Sequence, residues 1–200
     1  MQIPLEVIGL SKIYNNKDAV KDISFKVNKN EIIGILGPNG CGKTTTIGMI
    51  LGLLKPSNGK VLINGIEIEK KRVDLLNQLN FISPYIELPK KLTVKQNLEV
   101  YGRLYDVKNL KKKIEMLSEK LRLSEIINKL TGELSSGQKN RVSLAKSIIN
   151  NPTVLLLDEP TASLDPETGD FVRSFLESYQ KENKASILLA SHNMSEVERL

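Results

Sequence analysis

The run Gly37-Pro38-Asn39-Gly40-Cys41-Gly42-Lys43-Thr44 has the residue types and the spacing needed to hold a chain of phosphates. Glycine accepts backbone angles that turn successive N–H groups inward onto anionic oxygens. A helix opening at Thr44 adds the positive end of its dipole to the same anion. In such a cradle Lys43 reaches the β- and γ-phosphates, Thr45 extends the donor row, and the Thr44 hydroxyl sits on Mg²⁺. The plain alternative is a glycine-rich turn before an ordinary helix. The flanks favour the cradle, because an apolar run precedes it and a helical pattern follows.

A triphosphate site also needs a carboxylate for the metal and a group to direct the attacking water. Val154-Leu155-Leu156-Leu157 followed by Asp158-Glu159-Pro160 supplies both. An apolar strand delivers Asp158 at its carboxyl end, where open α/β sheets bind ligands. Asp158 then holds Mg²⁺, and Glu159 accepts a proton from water or orients it. A strand ending in two acids is common on its own, and the cradle upstream gives this one its meaning.

The elements that must position these groups follow from periodicity. Leu5 to Leu10, Ala19 to Val27 and Glu31 to Leu36 read as strands, the first two as a β layer. The third is apolar throughout, which predicts a parallel strand buried on both faces. Thr44 to Leu54 reads as a helix and Lys60 to Gly65 as a strand. Between about 84 and 150 the pattern turns helical, over Val94 to Tyr105, Leu110 to Arg122 and Gln138 to Asn150. Pro166 opens a further helix, and Ser186 to Ala190 reads as another buried strand. Strands alternating with helices in both halves predict an α/β fold. Its expected form is a core with a mainly parallel sheet, an N-terminal antiparallel β layer and a helical insert.

Composition sets outer bounds. With 40% hydrophobic and 26% charged residues, the chain is of globular type. Lys and Arg number 29 against 23 Asp and Glu, a formal charge of +6. That charge alone does not select a partner, and basic clusters such as Lys70-Lys71-Arg72 lack neighbouring aromatics for base stacking. Cys41 is the single cysteine, so no internal disulfide forms, as in a reducing cytosol. The N-terminus lacks the layout of a signal peptide, and no apolar stretch is long enough to span a bilayer.

Leu134-Ser135-Ser136-Gly137-Gln138 resembles the LSGGQ signature of ABC ATPases, with serine in place of the first glycine. It lies between the cradle and the acid pair, in the family's order. The residues themselves offer hydroxyls and a close-approach backbone at a helix start, which suits both capping and a second anion. The resemblance covers the whole chain as a single domain, with residues 1–83 and 151–200 as a P-loop NTPase core and 84–150 as the helical signature subdomain. It implies that Tyr14 stacks on adenine and that Ser163-Leu164-Asp165 touches a partner subunit near the nucleotide. It makes His192 a switch residue on the γ-phosphate, catalytic together with Glu159 and Lys43. It further implies ATP and Mg²⁺ as ligands and a head-to-tail pair of subunits. The loop Ser135, Ser136, Gly137 and Gln138 of one subunit would close over ATP held by the other. A separate transmembrane permease would follow the motion from the cytoplasmic face of the membrane, with export the expected direction. The competing reading is a soluble ABC ATPase acting on ribosomes or DNA. Those proteins usually carry tandem cassettes or long coiled-coil inserts, and no sustained heptads occur here, so no nucleic acid is expected.

The sequence departs from the pattern in two places. Where the family carries a metal-binding glutamine at the entry to the helical insert, this chain has Pro84. Proline offers no side-chain donor or acceptor, and Gln78 and Gln96 stand in the wrong segments, so slower hydrolysis or altered coupling is expected. Family members also continue beyond the position of Leu200, so the usual C-terminal end is expected to be missing.

Overall fold

A computed structural model describes residues 2–162 and 164–194. The chain opens with β1 (Leu5–Tyr14) and β2 (Lys17–Val27), an antiparallel hairpin turned at Asn15-Asn16 with φ of 46° and 60°. Two successive positive φ values define a type I′ turn, which asparagine tolerates and which matches the twist of the strands. β3 (Ile32–Leu36) leads into α1 (Lys43–Ile50), then β4 (Asn58–Ile63) and β5 (Ile66–Glu67). Asn64-Gly65 joins the last two by the same turn chemistry. α2 (Arg72–Leu76) and β6 (Leu79–Ile82) complete the first half.

Helices fill the middle: α3 (Val94–Leu104), α4 (Leu110–Lys120) and α5 (Ser136–Ser147). β7 (Val154–Asp158), α6 (Pro166–Asn183) and β8 (Ser186–Ser191) follow. α3 starts with a capping box between Thr93 and Gln96, and α6 with Asp165 as its cap and Pro166 in its first turn.

Two sheets form among the described residues, one antiparallel in the order β2-β1-β4-β5 and one parallel in the order β3-β8-β7-β6. β7 and β8 are buried along their whole length. Their alternate side chains feed two cores. Leu156, Leu188 and Ala190 pack with α1 and the antiparallel sheet, while Leu155, Leu157, Ile187 and Leu189 pack with α3 to α6. An uninterrupted apolar run is what a strand needs when both of its faces meet cores.

β3 corrects an expectation. Among the described residues it lies at the margin of the parallel sheet and pairs with β8 alone, and none of its residues is fully buried. Apolar content reports what a strand could bury, and its place in the sheet decides what it does bury. β6 and α2 went unread in the sequence. Leu79-Asn80-Phe81-Ile82 carries a polar residue at a buried position, so it does not look like a core strand. Asn80 is satisfied there by the Asn150 side chain at 3.0 Å and the Lys146 ammonium at 3.1 Å. No helix among the described residues is long and apolar enough to cross a membrane.

Candidate functional site

The phosphate cradle lies between the end of β3 and the start of α1. Gly40 and Gly42 hold φ of 82° and 99°. A Cβ on Gly42 would stand 2.4 Å from the Ala19 carbonyl oxygen, so β2 packs against the loop where only glycine fits. Gly42 is the N-cap of α1 and contributes no side-chain cap, which leaves the first-turn N–H groups to serve an anion. Lys43 is 6% exposed, and its ammonium donates to the Gly37 and Pro38 carbonyls at 2.6 and 3.1 Å. The same ammonium stands 3.8 Å from Glu159 Oε1. Cys41 is exposed, and a Cβ on Gly37 would meet its sulfur.

β7 brings the acids to this loop. Asp158, 2% exposed, accepts from the Thr44 hydroxyl at 3.0 Å. Burial raises its carboxyl above the ordinary range, and the Glu159 charge adds to this. The hydroxyls of Thr44 and Ser83 and the Lys43 charge act the other way. Glu159 adopts φ of 50°, and its N–H donates to the Ala190 carbonyl at 2.8 Å. A left-handed backbone at a non-glycine residue is costly, and such strain concentrates where side chains must be aimed. Here Glu159 Oε1 lies 2.8 Å from His192 Nδ1. Gly37 N–H in turn donates to the Ser191 carbonyl at 3.3 Å, so β8 holds both the cradle and the second acid.

A cavity of about 270 Å³ joins the parts, lined by Asn39, Gly40, Lys43, Thr45, Asp158 and Glu159 among others. Its donor set is cationic and amide-rich toward an anion. It presents two hard oxygens, the Thr44 hydroxyl and the Asp158 carboxylate, of the kind Mg²⁺ selects. The residues present therefore fit a magnesium–triphosphate. A second cavity of about 440 Å³ is lined by Glu159, Thr161 and His192.

Other candidates from the sequence lie elsewhere. Ser135 and Gln138 form a reciprocal capping box at the start of α5. Gly137 approaches Thr168 of α6 so closely that a Cβ would stand 3.2 Å away. Ser136 lines a third cavity of about 270 Å³, between α5, Ile82 to Lys90, and Glu159, Ala162 and Leu164. None of Ser135 to Gln138 lines the phosphate cavity of its own chain. Asp165 caps α6 by accepting from Thr168 N–H, and that bond holds its carboxyl below the ordinary range. Ser163 lies outside the described residues. Tyr14 ends β1, half exposed, outside the phosphate cavity and with the Lys12 ammonium 5.1 Å from its ring centre.

The sequence reading missed Tyr85 and Ser83. Tyr85 lines both the phosphate cavity and the Glu159–His192 cavity. The only available signal was their position beside Pro84.

Residues 20–162 match the family model described as ABC transporter. The chain belongs to the ABC transporter family. It is 39% identical over 201 residues to the Nod factor export ATP-binding protein I of Rhizobium johnstonii, covering 99% of this chain and 64% of that one. The ABC transporter ATP-binding protein NatA of Bacillus subtilis is 36% identical over 91% of the chain and 75% of its own length. The chain thus spans just under two thirds of the Nod factor protein. The ABC cassette fold matches that of MJ0796 bound to ADP and Pi, a dimeric post-hydrolysis state, with a TM-score of 0.87 at 25% identity, covering 98% of this chain and 90% of that one.

Proposed function

We propose that this chain binds and hydrolyses ATP as the nucleotide-binding subunit of an ABC exporter. The observation that carries the reading is the meeting of five side chains from distant segments. Lys43, Thr44, Asp158 and Glu159 line or bound one cavity, and His192 contacts Glu159. The Asn39, Gly40 and Gly42 amides and Lys43 bind the β- and γ-phosphates, with Thr45 on the same helix turn. Thr44 and Asp158 would hold Mg²⁺, and the ion would supply positive charge against the phosphates. Glu159 takes a proton from the attacking water or orients it, and His192 fixes the Glu159 carboxylate and reaches toward the γ-phosphate. Tyr14 stacks on adenine with the ring face that Lys12 leaves open.

The same reading completes the site with a second copy. Ser135, Ser136, Gly137, Gln138 and Asp165 lie off the phosphate cavity of their own chain, which supports their service to the nucleotide of a partner. ATP then joins two subunits, and hydrolysis releases them, because the partner loop's contacts to the nucleotide exist only in the closed pair. A separate membrane permease takes up that motion, and the subunit works at the cytoplasmic face of the membrane. The core runs over 1–83 and 151–200, and 84–150 forms the helical subdomain. The export direction is supported by the similarity to the Nod factor export protein.

Steady-state ATP turnover of the wild type and of Glu159→Gln tests the assignment. Turnover falls by about 100-fold or more in the variant, in line with loss of a general base, while ATP still binds. Equal rates would overturn the catalytic role. Copurification of a membrane-spanning partner tests the transport role.

A further inference from the structure

Pro84 removes an amide from the site, and the two glutamines nearby do not restore it. Gln96 Oε1 accepts from the Thr93 N–H in the cap of α3, and Gln78 Oε1 accepts from the Asn64 amide. Both side chains are engaged away from the phosphate cavity. What Pro84 does supply is a turn. The Ile86 N–H donates to the Ser83 carbonyl at 3.2 Å, which closes a β-turn with Pro84 in its second position. A locked φ suits proline to that place. The Tyr85 N–H also leans on the Ser83 hydroxyl at 3.4 Å, which ties the third residue of the turn to the end of β6.

The turn delivers Tyr85 to the junction of the two cavities of the site. Tyr85 and Glu159 line both of them. Tyr85 is 75% exposed, so no core packing explains its place. A phenol at this junction is a neutral donor that reaches outward from the protein, suited to an anionic oxygen or to the water beside it.

We propose that the Ser83–Ile86 turn presents the Tyr85 hydroxyl as the γ-phosphate contact of this site, in the role that a side-chain amide at position 84 would have filled. This rests on the nucleotide-binding reading above and adds a residue to it. A donor aimed at the terminal phosphate discriminates ATP from ADP, since only ATP presents that oxygen.

The test uses the whole chain and measures Mg²⁺-dependent binding of ADP and of a non-hydrolysable ATP analogue by titration calorimetry. The proteins compared are the wild type, Tyr85→Phe and Tyr85→Ala. Loss of one hydrogen bond to a charged oxygen weakens the ATP analogue by about ten-fold in Tyr85→Phe, with ADP unchanged. Tyr85→Ala shows at least the same selective loss. If both variants bind both nucleotides as the wild type does, the Tyr85 assignment fails while the nucleotide site stands. If ADP and the analogue weaken together, Tyr85 acts on general packing and the γ-phosphate role is overturned. If the wild type binds neither nucleotide, the underlying reading falls, and the proposal with it.

Discussion

The Thr44 hydroxyl donates to Asp158 at 3.0 Å across 114 residues of sequence. The two oxygens of the proposed metal site are thereby set by the protein itself, one from the first turn of a helix and one from a strand end. Thr44→Ala breaks the pair and leaves Asp158 with less support. The Mg²⁺ concentration for half-maximal ATP turnover then rises by about ten-fold, the scale of one charge-assisted hydrogen bond. Thr44→Ser keeps the hydroxyl and stays near the wild type. An unchanged magnesium requirement in Thr44→Ala would show that the hydroxyl has no part in the site.

Gly40 and Gly42 both hold positive φ, but only Gly42 is enclosed. Nothing lies within 4 Å of a Cβ on Gly40, whereas one on Gly42 meets backbone at 2.4 Å. Gly40→Ala therefore pays backbone strain alone, about 1 kcal/mol. Gly42→Ala must also push β2 from the loop, and it loses ATP affinity as well as stability. Urea unfolding with nucleotide titration separates the two; equal behaviour would contradict the packing of Ala19 on the loop.

Asp158 has its carboxyl raised above its ordinary value of 3.8, chiefly by burial. Only the ionised form holds a cation, so Mg²⁺ affinity falls on acidification with a midpoint above that value. The folded state also takes up a proton more readily than the unfolded chain. The stability this contributes is complete below pH 3.8 and is lost as pH rises through the raised value. Magnesium titrations of ATP binding between pH 4 and 7 check the first statement, with magnesium-free ATP binding as the reference.

Lys146 shows the opposite case in the helical half. The residue is 9% exposed, and its ammonium donates to Asn80 Oδ1 and the Phe81 carbonyl and lies 4.8 Å from the Phe81 ring centre. Burial lowers it from 10.5 to about 8. The unfolded chain binds the proton more tightly, so stability rises with pH between about 8 and 10.5. The full shift is worth about 3 kcal/mol. The difference in unfolding free energy between the wild type and Lys146→Met changes across that window in favour of the wild type. A flat difference would mean that the buried amine is not desolvated as its contacts suggest.

The parts of the site legible in the sequence were those carried by contiguous residues. The loop from Gly37 to Thr44 and the strand into Asp158-Glu159 encode their own backbone geometry, so type and spacing sufficed. Sheet position was not legible for β3, because an apolar run does not say how many neighbours a strand has. β6 hid behind Asn80, whose burial depends on Asn150 and Lys146 far along the chain. Pro84 read as a loss of chemistry. Its constructive effect, the turn that carries Tyr85, needs two cavities to be seen at once, and no local pattern encodes those.

The last two carbonyls of β8 hold more than a strand end. Ala190 takes the amide of Glu159 and Ser191 takes the amide of Gly37, and His192 follows directly. Cradle, acid and histidine therefore share one reference bar, and their mutual spacing inherits the stiffness of a strand buried on both sides. A displacement of this strand end therefore reaches all three groups together.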